Sequence, residues 1–279
     1  MFREAFLAMT EEMAQHVKKE DGDYIGEDGL LYCGKCHTRK QTMVNVLGTI
    51  MMPYVACKCS QEQYAQEMEE KKRREFELRV KDMRKAGFPD EEMMRWTFEH
   101  DDGKNAKLST VAHRFVDKFP TMLKDGKGLL LYGDVGTGKS YAAACIANAL
   151  VDKGVPCMMT NMPRLVNTLS GMLEGKQGYI DRLNSFALLV IDDLGTERGT
   201  DYVSELVYNI IDSRYRAGLP LIVTTNLSLK DMAAETDVKK QRIYSRLYDM
   251  CIPMAVAGKD RRRENVKRSM QDYKDLLGM

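Results

Sequence analysis

The stretch Gly133-Asp134-Val135-Gly136-Thr137-Gly138-Lys139-Ser140 combines glycines, a lysine and a hydroxyl at spacings suited to holding a polyphosphate. Glycines let backbone N–H groups turn inward around phosphate oxygens with no Cβ in the way. Lys139 supplies a point charge for the β- and γ-phosphates, and the Ser140 hydroxyl is a ligand for Mg²⁺. The pattern lies between an apolar run, Leu129 to Tyr132, and a helical stretch, Tyr141 to Leu150. A helix N-terminus therefore adds its partial positive charge, and the expected nucleotide-binding set runs from Gly133 through Tyr141. A tight turn that merely happens to contain lysine and serine is the alternative, and this context argues against it.

Farther along, Leu188-Leu189-Val190-Ile191-Asp192-Asp193 is an apolar strand ending in two carboxylates. On a strand adjacent to the phosphate loop, Asp192 would hold Mg²⁺ directly or through water, and Asp193 would orient or deprotonate the attacking water. The run Leu221 to Thr225 ends in Asn226, whose amide both donates and accepts and so can position that water or sense the γ-phosphate. With Lys139 these residues specify hydrolysis of a nucleoside triphosphate, with ATP as the expected nucleotide.

A second chemistry sits near the N-terminus. Cys33-Gly34-Lys35-Cys36 and Cys57-Lys58-Cys59 form a CxxC and a CxC pair separated by twenty residues. Two close thiolate pairs joined by a hairpin give the tetrahedral sulfur environment that Zn²⁺ prefers. His37 is a fifth candidate ligand, and free cysteines or a redox pair are the alternative. A module of about sixty residues has little core, so metal is expected to supply much of its folding free energy. Cys145, Cys157 and Cys251 lie singly in apolar surroundings and read as small buried hydrophobes.

These residues need a frame. Short apolar runs at Gly128 to Tyr132, Val155 to Thr160, Ala187 to Ile191 and Leu219 to Thr225 alternate with helical segments. That is the sequence form of an α/β domain, a parallel sheet flanked by helices, with strands buried on both faces. Ser60 to about Lys85 has no Pro or Gly and is dense in charge, the signature of a long solvated helix. Gly87-Phe88-Pro89 ends it. The expected layout is a zinc-binding module over 1–60, a helical linker over 61–87 and an ATPase domain over 88–279. Apolar positions at helical spacing, from Phe2 to Met13, also predict a short amphipathic helix before residue 20.

Composition narrows the function classes. Lys plus Arg number 42 and Asp plus Glu 41, a formal charge of +1, so any polyanion contact must come from local clusters. The 30% charged and 44% hydrophobic fractions are those of a globular chain. No run approaches the ~20 apolar residues of a membrane span, and the start lacks a signal-peptide core, so a cytoplasmic, membrane-free protein is expected.

Over roughly residues 88 to 270 the chain resembles the AAA+ ATPases, and among them the replicative helicase loaders of the DnaC/DnaI type. The likeness rests on Gly133 to Ser140, Ile191-Asp192-Asp193-Leu194-Gly195-Thr196-Glu197, Val223-Thr224-Thr225-Asn226, Arg242-Ile243-Tyr244-Ser245-Arg246-Leu247 and Gly258-Lys259-Asp260-Arg261-Arg262. The resemblance implies that Asn226 is sensor 1, that Arg246 is an arginine finger reaching a neighbouring subunit's site, and that Arg262 is sensor 2. Arg261 and Arg263 flank it and blur that last assignment. Each arginine is a permanently charged fork suited to developing phosphoryl charge. Where the family often has Glu as the second acid, Asp193 is one methylene shorter, which implies slow turnover.

The same resemblance implies ATP-dependent self-association, an N-terminal module that grips a hexameric replicative helicase, and contact with single-stranded DNA. For DNA the candidates are Arg164, Lys176 and Arg182, with Tyr179 as a stacking residue, and the basic run from Arg261 to Arg268. Core packing explains Leu165, Leu169 and Leu173 in the same segment equally well. Two other readings remain: an IstB-type transposition helper ATPase, against which the cysteine module argues, and a nucleotide-dependent assembly scaffold with little turnover.

Overall fold

The computed structural model describes residues 19–46, 48–196, 200–261 and 273–279. The expected N-terminal helix, Glu197, Arg262, Arg263 and most of the basic run to Arg268 lie outside the described residues. The chain divides into two compact units, residues 1–77 and 78–279.

In the smaller unit, two antiparallel strand pairs carry the cysteine knuckles. β1 (Tyr24–Ile25) pairs with β2 (Leu31–Tyr32), and β3 (Val44–Val46) with β4 (Thr49–Met51). Among its described residues, buried hydrophobics are few, Leu30 and Leu31 besides Cys33 and Cys57, and the other buried pair is Lys40 with Asp23. Lys40 Nζ lies 2.6 Å from Asp23 and 2.9 Å from Glu20. The Lys40 hydrogen bond, then the Glu20 amide, hold the Asp23 carboxyl down at about 2. The second cysteine pair opens the long helix α1 (Lys58–Gly87), along which exposed ion pairs such as Glu70–Arg74 recur at i,i+4 spacing. Such pairs contribute only about 0.3–0.5 kcal/mol each.

α1 ends in the larger unit at Gly87, where a Cβ would stand 1.9 Å from the Cys157 carbonyl oxygen, so only glycine permits that approach. Short helices α2 (Glu91–Met94), α3 (Ala106–Asp117) and α4 (Phe119–Asp125) follow; Asn105 caps α3 by accepting the Leu108 amide at 3.1 Å. The remaining order is β5 (Gly128–Tyr132), α5 (Lys139–Asp152), β6 (Cys157–Asn161), α6 (Met162–Gly171), α7 (Lys176–Leu183), β7 (Leu188–Leu194), α8 (Asp201–Arg216), β8 (Leu221–Thr225), α9 (Leu229–Ala233), α10 (Val238–Met250) and β9 (Cys251–Ala255).

The five strands form one parallel sheet in the order β6-β7-β8-β5-β9. Alternate residues feed two cores. Leu129, Leu131, Leu188, Val190 and Ile222 pack with α3 and α5, whereas Leu130, Leu189, Ile191, Leu221 and Val223 pack with α6, α8 and α10. This α/β/α layering explains the unbroken apolar runs, since each central strand has no solvent face. Among the described residues, no helix is long and apolar enough to cross a membrane.

Three details differ from the sequence reading. The acid-bearing strand β7 is not adjacent to β5; β8 is inserted between them, because the crossover from β7 through α8 returns the chain beside β5. β9 was not expected from the sequence: Pro253 interrupts the apolar run Cys251–Ala255, and most of its residues are exposed, as suits an edge strand. Leu173 is 99% exposed while Leu165 and Leu169 are buried, because α6 stops at Gly171 and Leu173 falls in the loop beyond.

A candidate nucleotide site and a four-cysteine cluster

The loop between β5 and α5 is shaped by left-handed glycines. Gly138 enters α5 at φ 96° and Gly136 has φ 76°, and a Cβ on Gly136 would lie 2.0 Å from Asp260 Oδ1. A residue with a side chain is therefore excluded there twice, by backbone conformation and by space. Thr137 Oγ1 donates to the Asp134 carbonyl at 2.9 Å and holds the loop from inside. The buried Lys139 ammonium donates to the carbonyls of Gly133 and Asp134, each at 2.7 Å, and to Asn226 Oδ1 at 2.9 Å. Asn226 reaches it because β8 lies beside β5, so the inserted strand is what brings amide and lysine together.

Beside the loop opens a cleft of about 630 Å³ whose walls include Val135 to Tyr141, Asp193 and Asn226. The sequence-derived residues Lys139, Ser140, Asp193 and Asn226 thus surround one space. Asp192 stands behind it, 6% exposed, and accepts a hydrogen bond from Thr224 Oγ1. Ser140 and Asp192 are the groups that would hold Mg²⁺, and a hydroxyl with a carboxylate is a donor set that suits this hard cation. Arg246 does not line this cleft: its guanidinium pairs with Asp212 at 2.6 Å, donates to Tyr208 Oη at 2.8 Å and lies over the Tyr208 ring.

Of the three adjacent arginines among which the sequence does not choose, Arg261 lines the cleft, donates its amide to the Gly136 carbonyl at 3.0 Å and pairs with Asp102 at 3.0 Å. Sequence reasoning missed other groups there. Trp96 and His100 form another wall and had no signal, because they lie far from the loop in sequence. They are held there by polar groups of α5. Tyr141 Oη donates to the Thr97 carbonyl at 2.8 Å, and Asn148 Nδ2 donates to the carbonyls of Met93 and Trp96. Burial pushes the Tyr141 hydroxyl well above its ordinary value, so it remains a donor at every physiological pH.

Of the basic residues considered for DNA, Arg164 pairs with Asp90 at 3.3 Å, Lys176 donates to Tyr202 Oη at 2.8 Å, and Arg182 lies over the Tyr179 ring. All three are partly solvated surface groups with a neighbour already in place.

In the smaller unit the sulfurs of Cys33, Cys36, Cys57 and Cys59 lie within 4.8 Å of one another. Cys59 Sγ is 3.5 Å from Cys33 Sγ and 3.3 Å from Cys57 Sγ, close to the sulfur spacing of about 3.8 Å that a tetrahedral Zn–S shell of about 2.3 Å radius requires. No disulfide joins them. Gly34 is obligatory at the knuckle, since a Cβ there would meet the Gly22 carbonyl oxygen at 2.1 Å. The amides of Cys36 and Lys35 lower the Cys33 thiol, and the Thr38 hydroxyl brings Cys36 down to about 5. Those donors favour thiolate, the form that binds metal, on Cys33 and Cys36, while the Cys57 and Cys33 sulfurs beside it push Cys59 up to about 12. His37 is not part of the cluster; its ring meets Tyr24 Oη at 3.3 Å.

Comparison with known proteins agrees with this geometry. The replicative helicase loader DnaI of Bacillus subtilis is 28% identical over 149 residues, 49% of this chain and 48% of that protein. The replicative helicase loader DnaC of Escherichia coli K12 is 24% identical over 142 residues, 49% of this chain and 55% of that one. The chain thus spans about half the length of these curated relatives. A crystal structure of DnaI superposes with a TM-score of 0.51 at 27% identity, covering 63% of this chain and 95% of that one. The family described as IstB-like ATP binding protein matches residues 59–269, from the second cysteine pair to beyond the described end of the cleft. With a match over most of its length and the parallel sheet, phosphate loop and acid strand in place, the chain belongs to the IstB-like ATP binding protein family and carries an AAA+ domain of the DnaC/DnaI type.

Proposed function

We propose that the protein is an ATP-hydrolysing loader that binds a hexameric replicative helicase and places it on single-stranded DNA. The observation that carries the reading is the cleft, where Lys139, Ser140, Asp193 and Asn226 converge in a chain similar to proteins named replicative helicase loaders. Lys139 is already positioned to exchange its carbonyl partners for phosphate oxygens, and Asn226 moves with it as the group that reports a γ-phosphate. Asp193 on the cleft wall orients the attacking water. Ser140 and Asp192 would hold Mg²⁺, which would supply charge neutralisation to the phosphates.

Arg246 lies away from the chain's own cleft, which supports a role in a neighbouring subunit's site and hence ATP-dependent assembly. Arg261 shares with Arg262 the candidacy for the residue that touches the phosphates of its own subunit. The four-cysteine module would bind zinc and serve as the grip on the helicase, with α1 as its tether, and Arg164, Lys176, Arg182 and Tyr179 are the surface offered to DNA.

Full-length protein and Lys139→Ala provide the test. The wild type should hydrolyse ATP and deposit the helicase on single-stranded DNA. The variant should lose nucleotide affinity by about 100-fold or more and lose deposition with it. Wild-type protein that ignores the helicase but binds duplex DNA with a transposase would replace this reading with that of a transposition helper. Nucleotide binding without turnover, in the presence of single-stranded DNA and helicase, would replace it with that of a scaffold.

A further inference from the structure

The parallel ladder between β7 and β8 shifts register between Ile191 and Leu194. Inside that bulge Asp193 adopts φ 56°, the left-handed region that residues with a Cβ seldom occupy. A bulge takes backbone groups out of the ladder, and in a buried sheet they must find partners elsewhere. The Asp193 N–H finds Thr224 Oγ1 on β8, at 3.0 Å. The Leu194 carbonyl finds the hydroxyl of the next residue, Thr225, at 2.8 Å.

Thr224 does more than accept. Its own proton goes to Oδ1 of Asp192, and at 0% exposure no water can take its place. The direction of both bonds is fixed by chemistry. An amide N–H only donates, so Oγ1 must accept from Asp193, which leaves the single hydroxyl proton for the Asp192 carboxyl oxygen. One oxygen of Asp192 is thereby occupied and the other remains for a cation. Packing alone would be served equally well by valine at this central strand position.

We propose that Thr224 is the positioning residue of the acid pair: one buried hydroxyl orients the Asp192 carboxylate and holds Asp193 in the bulge that puts it on the wall of the nucleotide cleft. The proposal rests on the nucleotide-site reading above, and its test does not require turnover. Thr224→Val removes the hydroxyl at constant shape; Thr224→Ser keeps the hydroxyl and removes the methyl. Two quantities are read on the full chain: hydrogen exchange at the Asp193 amide, with the Val190 amide as internal control, and Mn²⁺ affinity of the ADP complex by electron paramagnetic resonance.

In Thr224→Val, Asp193 exchange should accelerate and Mn²⁺ affinity should fall, each by about 10- to 100-fold, while Thr224→Ser stays within about 3-fold of wild type. Wild-type values in Thr224→Val would overturn the proposal. So would equal loss in both variants, which would assign the effect to the methyl group. Should valine prevent folding, Thr224→Ala read against Thr224→Ser supplies the same contrast. A wild type that binds Mn²⁺ and ADP but never hydrolyses ATP counts against the ATPase reading and leaves this comparison intact.

Discussion

The two units solve the same problem of holding a charged site in opposite ways. The larger unit buries its central strands on both faces, and that dry frame lets a phosphate-binding surface be built from main-chain groups. The smaller unit centres on a buried Lys40–Asp23 pair and four thiols, with few apolar side chains beside them. Cysteine chemistry shows the contrast. In the smaller unit the shifts come from neighbouring groups, with the Thr38 hydroxyl drawing Cys36 down to about 5 and the adjacent thiols pushing Cys59 up to about 12, whereas in the larger unit burial pushes Cys145 and Cys157 up to about 12. One unit surrounds its site with an apolar core; the other has four clustered thiols and a buried ion pair where such a core would be.

The largest effect that would break this comparison is expected from metal removal. Chelation, or Cys57→Ser, should unfold the smaller unit and make it protease-sensitive, because structural zinc contributes on the order of 10 kcal/mol of folding free energy in small modules. The larger unit should keep its melting temperature. Mass spectrometry of a limited digest reads both units at once, and a protease-resistant metal-free small unit would erase the distinction.

A smaller effect probes the larger unit's core. Arg214 is 1% exposed and makes five hydrogen bonds to the carbonyls of Leu183, Phe186, Ala187 and Pro220. Burial lowers its pKa to about 9, and these carbonyl bonds keep it a cation at neutral pH. Arg214→Met should destabilise the unit by about 3 kcal/mol, since several buried carbonyls lose their donor. Arg214→Lys should not rescue it, because an ammonium cannot span the same fork. Urea denaturation measures both.

The smallest effect sharpens the thiol contrast. In the folded unit Cys145 and Cys157 stay protonated up to about 12, while in the unfolded chain they ionise near their ordinary value. The unfolded state therefore binds fewer protons above that value, and stability falls as pH rises past about 9, by about 1 kcal/mol per thiol at pH 10. The urea midpoint at pH 8 and pH 10, with native-state alkylation as a control, checks the sign. A midpoint that rises with pH would contradict it.

Much of the site was readable because its determinants are local. Gly136 and Gly138 fix backbone turns within a few residues, and the flanking apolar run and helix follow from periodicity over short windows. Cys33, Cys36, Cys57 and Cys59 were readable by spacing alone. What escaped was non-local. Trp96 and His100 join the cleft through the bonds of Tyr141 and Asn148 to the 93–97 backbone and the packing of Met93, Trp96 and Phe98 on the core. Leu173 matched a helical period that Gly171 had already ended.

The sequence by itself determined which chemistry is possible: a lysine-bearing glycine loop, an acid pair after an apolar strand, an amide after another, and four clustered thiols. The tertiary structure decided their order in space. It put β8 between β5 and β7, so that Asn226 meets Lys139 and Thr224 meets both acids. Strand order depends on how crossovers pack across a sheet, and no local window of residues encodes that choice.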